Sequence, residues 1–554
     1  MKAKFKLFLY LTLLWGVAGC SQILDEVPVS QVGSQYYNSL AGFEGGVNAV
    51  YTSMRSYYGA EVSTNLSVFG TDTYTNGSDG SYKYMNQYTA SFGSNVSILT
   101  NLWNSLYSGI NTANILIDLA NTDGVTGLSE AAKNQRIAEL KFLRAHAYFL
   151  LTQNWGNIAI SVNGITNPTK DFTKATVAEV YAVILADLIA ALPYLPTTVG
   201  NADYGRATQG ACEHMLAKVY LTKATSEAAE STDFENAATY SSHVINNYSY
   251  ALQSDYALVH DQSNQQNSEI IWAVQYSNDV LTNGSGNMTH LFFLMEYDVQ
   301  AGMIRDIANG RPWKRYRPTD YLLNVIFNPA DRSKDSRFKK SFKDTWLSNS
   351  PGTFTSGLFD NTKTSVTFAS GDTAIYIPGI EWTVEQRAAK KFQVLVPSLY
   401  QANLYPTLSK YLDPLRPEIG TSAGSRDVFV ARLADTYLIL AEANIKLGRS
   451  QQAADAINMI RRRAAWSGME SEMEITASDA TMEFLMQERE RELSGELSRW
   501  YDLKRWGVLV SQVQAYNPDG AAGIQSYHNL RPIPQTQIDR TEGTSTNFPQ
   551  NPGY

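Results

Sequence analysis

Two stretches of this 554-residue chain concentrate the residue types that could handle a ligand. From Gly70 to Gly93 the sequence is rich in Ser, Thr, Asn and Gly, which is loop composition, with Asp72, Tyr74, Tyr82, Tyr84, Tyr88 and Phe92 set among them. From Asn283 to Tyr321 a second irregular stretch holds Phe292, Phe293, Tyr297, Trp313 and Tyr316 near Arg311, Arg315 and Arg317. Rings that are apolar in the body and polar at the tip suit the C–H faces of sugars, and Asp, Asn and Arg beside them suit the hydroxyls. The expected ligand contacts are Asp72, Tyr74, Tyr82, Tyr84, Tyr297, Trp313 and Tyr316. With 33 Tyr in the chain, any one ring is more often packed than offered to a ligand, so the set carries the reading and no single member does.

Catalytic chemistry finds little support in the residues. There is no His-Glu-x-x-His, no Gly-x-Ser-x-Gly, no Cys-x-x-Cys and no phosphate-cradling Gly-rich loop ending in Lys-Ser/Thr. The six histidines, His146, His214, His243, His260, His290 and His528, are scattered without metal-ligand spacing, so no metal site and no cofactor are expected. His146 lies inside a helical pattern and reads as a packing residue. Glycoside hydrolysis needs only two carboxylates a few ångströms apart, and 53 acidic residues leave that option open. A net charge of −8 and a pI near 5.4 argue against nucleic acid and against a polybasic membrane patch.

The elements that must position these loops are amphipathic helices in pairs. Ile137 to Asn154 places Leu140, Leu143, Ala147, Leu150 and Leu151 at helical spacing and stops before Trp155-Gly156. Its partner opens with a capping box, Thr176 and Glu179, and is ended by Pro193 and Pro196. A second pair runs around Ala211 to Thr222 and onward from Asp233, and a third from Leu433 across a break at Gly448 to Ala464. Alanine-rich helix, turn, alanine-rich helix is the pattern of a tetratricopeptide repeat, although no pair meets the full consensus. Cys212 shares a helical face with Met215, Leu216 and Val219 and reads as a packing residue.

At the N-terminus, Lys2, Lys4 and Lys6 precede an apolar run from Leu7 to Val17, the charged and apolar regions of a secretory signal. Val17-Ala-Gly-Cys20 follows and resembles a lipoprotein cleavage box, with Cys20 the acylated first residue of the mature chain. No later segment is expected to have the length and apolarity of a membrane helix, so the body is read as sitting on a lipid tether.

The C-terminal part carries Glu488-Arg-Glu-Arg-Glu492, Arg499-Trp-Tyr-Asp-Leu-Lys-Arg-Trp-Gly507, Asn529-Leu-Arg-Pro-Ile-Pro-Gln535 and Gln550-Asn-Pro-Gly-Tyr554. In a helix Glu488 would face Arg491 and Arg489 would face Glu492, with a break at Gly495 and two X-Pro units keeping the tail extended. The cluster reads as a structural lock. Together with Lys141-Phe-Leu-Arg-Ala145, Leu185-Ala-Asp-Leu188, Gly205-Arg-Ala-Thr208, Lys218-Val-Tyr-Leu221 and Leu440-Ala-Glu-Ala443, in that order, it resembles the SusD/RagB family of nutrient-binding outer-membrane lipoproteins.

That resemblance implies a mainly α fold, a tetratricopeptide-like helix-pair scaffold with long irregular loop insertions. It divides the chain into a signal peptide over 1–19, a lipid-anchored tether over 20–35, an N-terminal region over 36–265 and a C-terminal region over 266–554. It also implies a surface protein that captures glycan and passes it to a TonB-dependent outer-membrane transporter. Three alternatives stay open: a peptide cargo as in the RagB branch, a repeat scaffold without a small ligand, and a glycan-active enzyme.

Overall fold

The computed structural model describes residues 34–554. Cys20, the expected signal segment and almost all of the expected tether lie outside the described residues.

Eight helices form the scaffold: α1 (Leu40–Ser53), α2 (Ser97–Asn121), α3 (Glu130–Trp155), α4 (Val177–Ala191), α5 (Gln209–Lys223), α6 (Asp233–Asn247), α7 (Leu433–Lys446) and α8 (Ser450–Ala464). Each packs on the next in this order, including α6 on α7, so the third expected pair continues the stack although a long insertion separates it in sequence. The fold is mainly α and tetratricopeptide-like. Local chemistry sets the helix ends. Ser39 and Ser129 cap α1 and α3 by accepting from Gly42 and Ala132, and Thr176 with Glu179 forms the expected capping box of α4. Helix α3 begins at Glu130, ahead of the expected Ile137, because its first turns, Glu130 to Arg136, are polar and carry no apolar stripe. Gly156 then stops it at φ 71°, a conformation that suits glycine.

One expectation needs correcting. By length and apolarity Val177–Tyr194 could cross a membrane. It is instead a scaffold helix and its first 3-10 turn, held between α3 and α5. Its Asp187 is buried and accepts from Arg144 at 2.7 and 2.8 Å, a pair suited to a protein core. Cys212 is buried on α5 as expected, its Sγ 3.3 Å from the Leu188 carbonyl.

Seven short strands carry the remaining regular structure that matters here: β1 (Tyr74–Asn76), β2 (Ile270–Val274), β3 (Tyr316–Pro318), β4 (Thr345–Leu347), β5 (Thr373–Tyr376), β6 (Gln393–Val394) and β7 (Val428–Arg432). Antiparallel pairing of β2 with β7 closes the neck of the insertion and delivers the chain back to α7. Within the insertion β4, β5 and β6 form a small mixed sheet over its own core of Tyr297, Trp346, Ile375 and Tyr405.

The charged block folds as α9 (Met482–Leu493) and α10 (Arg499–Arg505), with Gly495 between them at φ 78°. Glu488 does face Arg491, at 3.0 Å. Arg489 and Glu492 do not face each other. Arg489 pairs with Asp435 and Asp502, both at 3.0 Å, and Glu492 meets Arg337, Arg432 and Arg463. Burial overrides local pairing here, since Glu488, Glu492 and Arg337 are each fully enclosed and a buried charge requires every available partner. Burial by itself would push the Glu492 carboxyl up, but Arg463, Arg432 and Arg337 together hold it down to about 2.

Candidate functional site

The two loop stretches singled out in the sequence meet. Strands β1 and β3 pair antiparallel, Thr75 opposite Arg317 and Asn76 opposite Tyr316. Beyond the ladder, Gly77 N–H donates to the Arg315 carbonyl at 2.8 Å and Asp79 N–H to the Lys314 carbonyl at 3.2 Å. Gly77 is required, because a Cβ there would collide with the Lys314 carbonyl. On its other side the mid-chain loop is pinned to the core by Trp313 N–H to the Leu291 carbonyl at 2.9 Å and Arg315 N–H to the Phe292 carbonyl at 3.0 Å.

Around this ribbon lie Tyr82, Tyr84 and Trp313, all half-buried. Arg315 joins them. Its guanidinium carbon sits 4.5 Å from the Trp313 ring centre and 5.5 Å from that of Tyr82, both within cation–π range. Tyr84 follows at 6.2 Å from Tyr82. Arg315 is ion-paired with Glu61, and Asp79 lies 3.9 Å from its Nε. Glu296 pairs with Lys314 and accepts from Asn403 at 3.0 Å, adding polar groups beside the rings. Desolvation pushes the Glu61 carboxyl up to about 7 against the pull of Arg315, and Asp79 adds to the rise. Tyr82 and Lys314 hold left-handed backbone, φ 58° and 53°, which costs a side-chain-bearing residue energy that the surrounding contacts must offset.

Four of the seven expected contacts are not on this face, and the expectation for them is corrected. Asp72 is fully buried, its carboxylate gripped by Arg499 at 2.8 and 2.6 Å. Tyr74 is buried against Phe293 with its hydroxyl 3.3 Å from Ser494 Oγ. Tyr316 donates to Asn65 Oδ1 at 2.8 Å inside the core. Tyr297 is stacked on Trp346 at 4.6 Å and donates to the Gly310 carbonyl at 2.6 Å. For Tyr74 the physical reason is that β1 is covered on both faces, so alternation puts no residue of it outside. Tyr74 and Tyr316 belong to the core on which Tyr82 and Trp313 pack, whereas Tyr297 belongs to the core under the β4–β6 sheet. The sequence reading missed Glu61 and Asp79: Asp79 sits within the Gly70–Gly93 stretch, whereas nothing local marked Glu61, which is defined by its approach to Arg315.

Elsewhere, a cavity of about 80 Å³ lies in the core between α3, α5, β2 and α10, lined among others by Phe142, His146, His214, Met215, Trp272 and Tyr501. Burial lowers His146 to about 3 and His214 to about 4, so both are neutral near pH 7. His146 Nε2 is 2.7 Å from the Tyr58 hydroxyl, in keeping with a packing role.

The sequence pattern described as "SusD family" matches residues 268–554, and one described as "Starch-binding associating with outer membrane" matches residues 23–221. The chain belongs to the SusD family. Its curated relatives include SusD-like protein P25 of Formosa agariphila, 25% identical over 99% of both chains. Among solved structures, a laminarin-binding SusD-like protein covers 94% of this chain and all of its own, at TM-score 0.69 and 22% identity. Surface glycan-binding protein A of Bacteroides thetaiotaomicron, solved with laminarihexaose, covers 93% of this chain and 99% of its own, at TM-score 0.66 and 18% identity. At those identities the likeness establishes the shared fold, and the second family description associates this chain's family with the outer membrane.

Proposed function

We propose that the chain binds oligo- or polysaccharide at the cell surface, on the face formed by Tyr82, Tyr84 and Trp313. The observation that carries this reading is the convergence of half-exposed rings from two distant loops on one Arg315–Glu61 pair. Rings offer stacking area to sugar faces, and the fixed charged groups beside them offer hydrogen bonds to hydroxyls. The two solved proteins of this fold named for laminarin and laminarihexaose support a carbohydrate ligand. The test is titration of residues 21–554 with a panel of polysaccharides, oligosaccharides and peptides, with product analysis of the same samples. Saturable glycan binding without turnover is the expected result. Bond cleavage would make the protein an enzyme, peptide binding would change the cargo, and silence across the panel would leave a scaffold.

The same proposal places the protein on the outer membrane through acylated Cys20, facing outward and delivering glycan to a TonB-dependent transporter. Membrane fractionation tests both parts. The native chain should pellet with the outer membrane and co-isolate with such a transporter, whereas Cys20→Ala should be released; retention of the variant would refute the anchor, and purification without any transporter would refute the delivery step.

A further inference from the structure

The face holds a charge that the aromatic platform does not use. In β3 burial alternates, with Tyr316 and Pro318 packed and Arg317 half-buried between them. Its neighbours in the chain are neutralised: Lys314 by Glu296, and Arg315 by Glu61 with Asp79 close by. The Arg317 side chain forms no ion pair and no hydrogen bond with any other described residue. Its Nε is shut off from solvent without an acceptor, on a side chain that is half-buried as a whole. On β1 the residue opposite it is Thr75, which offers no charge. A guanidinium keeps its proton at any physiological pH and presents a fork of donors that matches planar or tetrahedral oxyanions in pairs.

Arg315 and Arg317 thus stand side by side as a contrast. The first is closed by a carboxylate from its own chain and can serve only as part of the platform. The second keeps its charge open, on a chain whose net charge is −8. That overall balance disfavours indiscriminate attraction of polyanions, so a lone open guanidinium acts at short range.

We propose that Arg317 reads an anionic substituent on the glycan, a uronate carboxylate or a sulfate ester, while the Trp313 and Tyr82 rings hold the sugar beside it. This rests on the glycan-binding reading of the face. An oxyanion there would supply the acceptors that the buried Nε and the Nη groups lack, and its orientation would be fixed by the fork.

The experiment uses residues 21–554 and calorimetric titration with polysaccharide fragments prepared in matched forms: uronate-containing fragments native and carboxyl-reduced, sulfated fragments native and desulfated. The expected result is at least tenfold tighter binding of the acidic member of one pair, weakened by added salt; which pair shows it identifies carboxylate or sulfate. Arg317→Gln should erase that preference, leaving the affinity for the neutral member and the thermal midpoint unchanged, and Arg317→Lys should restore it only in part. Equal affinity for acidic and neutral members, or a preference that survives Arg317→Gln, overturns the assignment of Arg317 and leaves glycan binding standing. Failure of the native protein to bind any fragment of either form overturns both.

Discussion

Around Arg432 and around Arg315 the same side-chain types are put to different uses. Arg432 is buried and bonded to Glu269, Glu492 and Glu496, all within 2.7 to 3.0 Å, and Arg337 and Arg463 share the Glu492 carboxylate. Every carboxylate there is already matched, and nothing is offered to a newcomer. Around Arg315 the pairing is partial: rings are half open, one carboxyl is pushed toward neutrality, and the side chain of the next arginine, Arg317, has no partner among the described residues. The lesson is that richness in charge does not mark a binding site. Incomplete satisfaction at an accessible surface does, because the missing partner can then come from outside.

This contrast is best broken at the closed end first. Arg432→Met takes a buried partner from Glu269, Glu492 and Glu496 at once, and loss of one member of a buried ion pair costs about 3–5 kcal/mol. Denaturant unfolding should show a loss of that size, and a change under about 1 kcal/mol would mean that the lattice is dispensable.

At the open end the effect should move from stability to affinity. Trp313→Ala is expected to weaken glycan binding at least tenfold, about 1.4 kcal/mol, with a stability change below about 1 kcal/mol. A large drop in unfolding midpoint with affinity intact would reassign Trp313 to the core.

The smallest effect sharpens the comparison through pH. The folded-state pKa of Glu61 is raised, so its contribution to stability is fully present below the unfolded value of about 4.3 and is lost as pH rises through about 7. Glu492 runs the other way, its contribution present above the unfolded value and lost as pH falls through about 2. Glu61→Gln should therefore lessen the decline in unfolding midpoint between pH 5 and 8, measured against the native chain. An identical decline in both would show that Glu61 is ionised throughout.

Much of the scaffold was legible because its signals are local. The Thr176 box, the stripe from Leu140 to Leu151 and the break at Gly448 each sit within a few turns of the element they define. Partners in the charged block were not legible beyond Glu488 and Arg491, since Arg337, Arg432 and Arg463 reach α9 only through the tertiary fold. For the face, composition located the loops and supplied Tyr82, Tyr84 and Trp313. It could not tell a ring on the outside of the β1–β3 ribbon from one beneath it, where Tyr74 and Tyr316 lie, or from one in the separate core with Trp346, where Tyr297 lies. Asp72 was misread for the same reason: its role depends on an arginine from the far end of the chain.

That arginine has a consequence for how the protein comes into being. Asp72 and Arg499 are separated by 427 positions, and Thr75, one residue from Tyr74, donates to Asn517 and Asp519 at 2.8 and 2.7 Å across comparable spans. The β1 loop therefore has no complete footing until nearly the whole polypeptide has been synthesised. Such distant closures are made late and slowly, and they leave aromatic loops uncovered in the interval. An N-terminal fragment ending before Arg499 would carry every ring of the face and still lack the footing that holds the β1 loop in place.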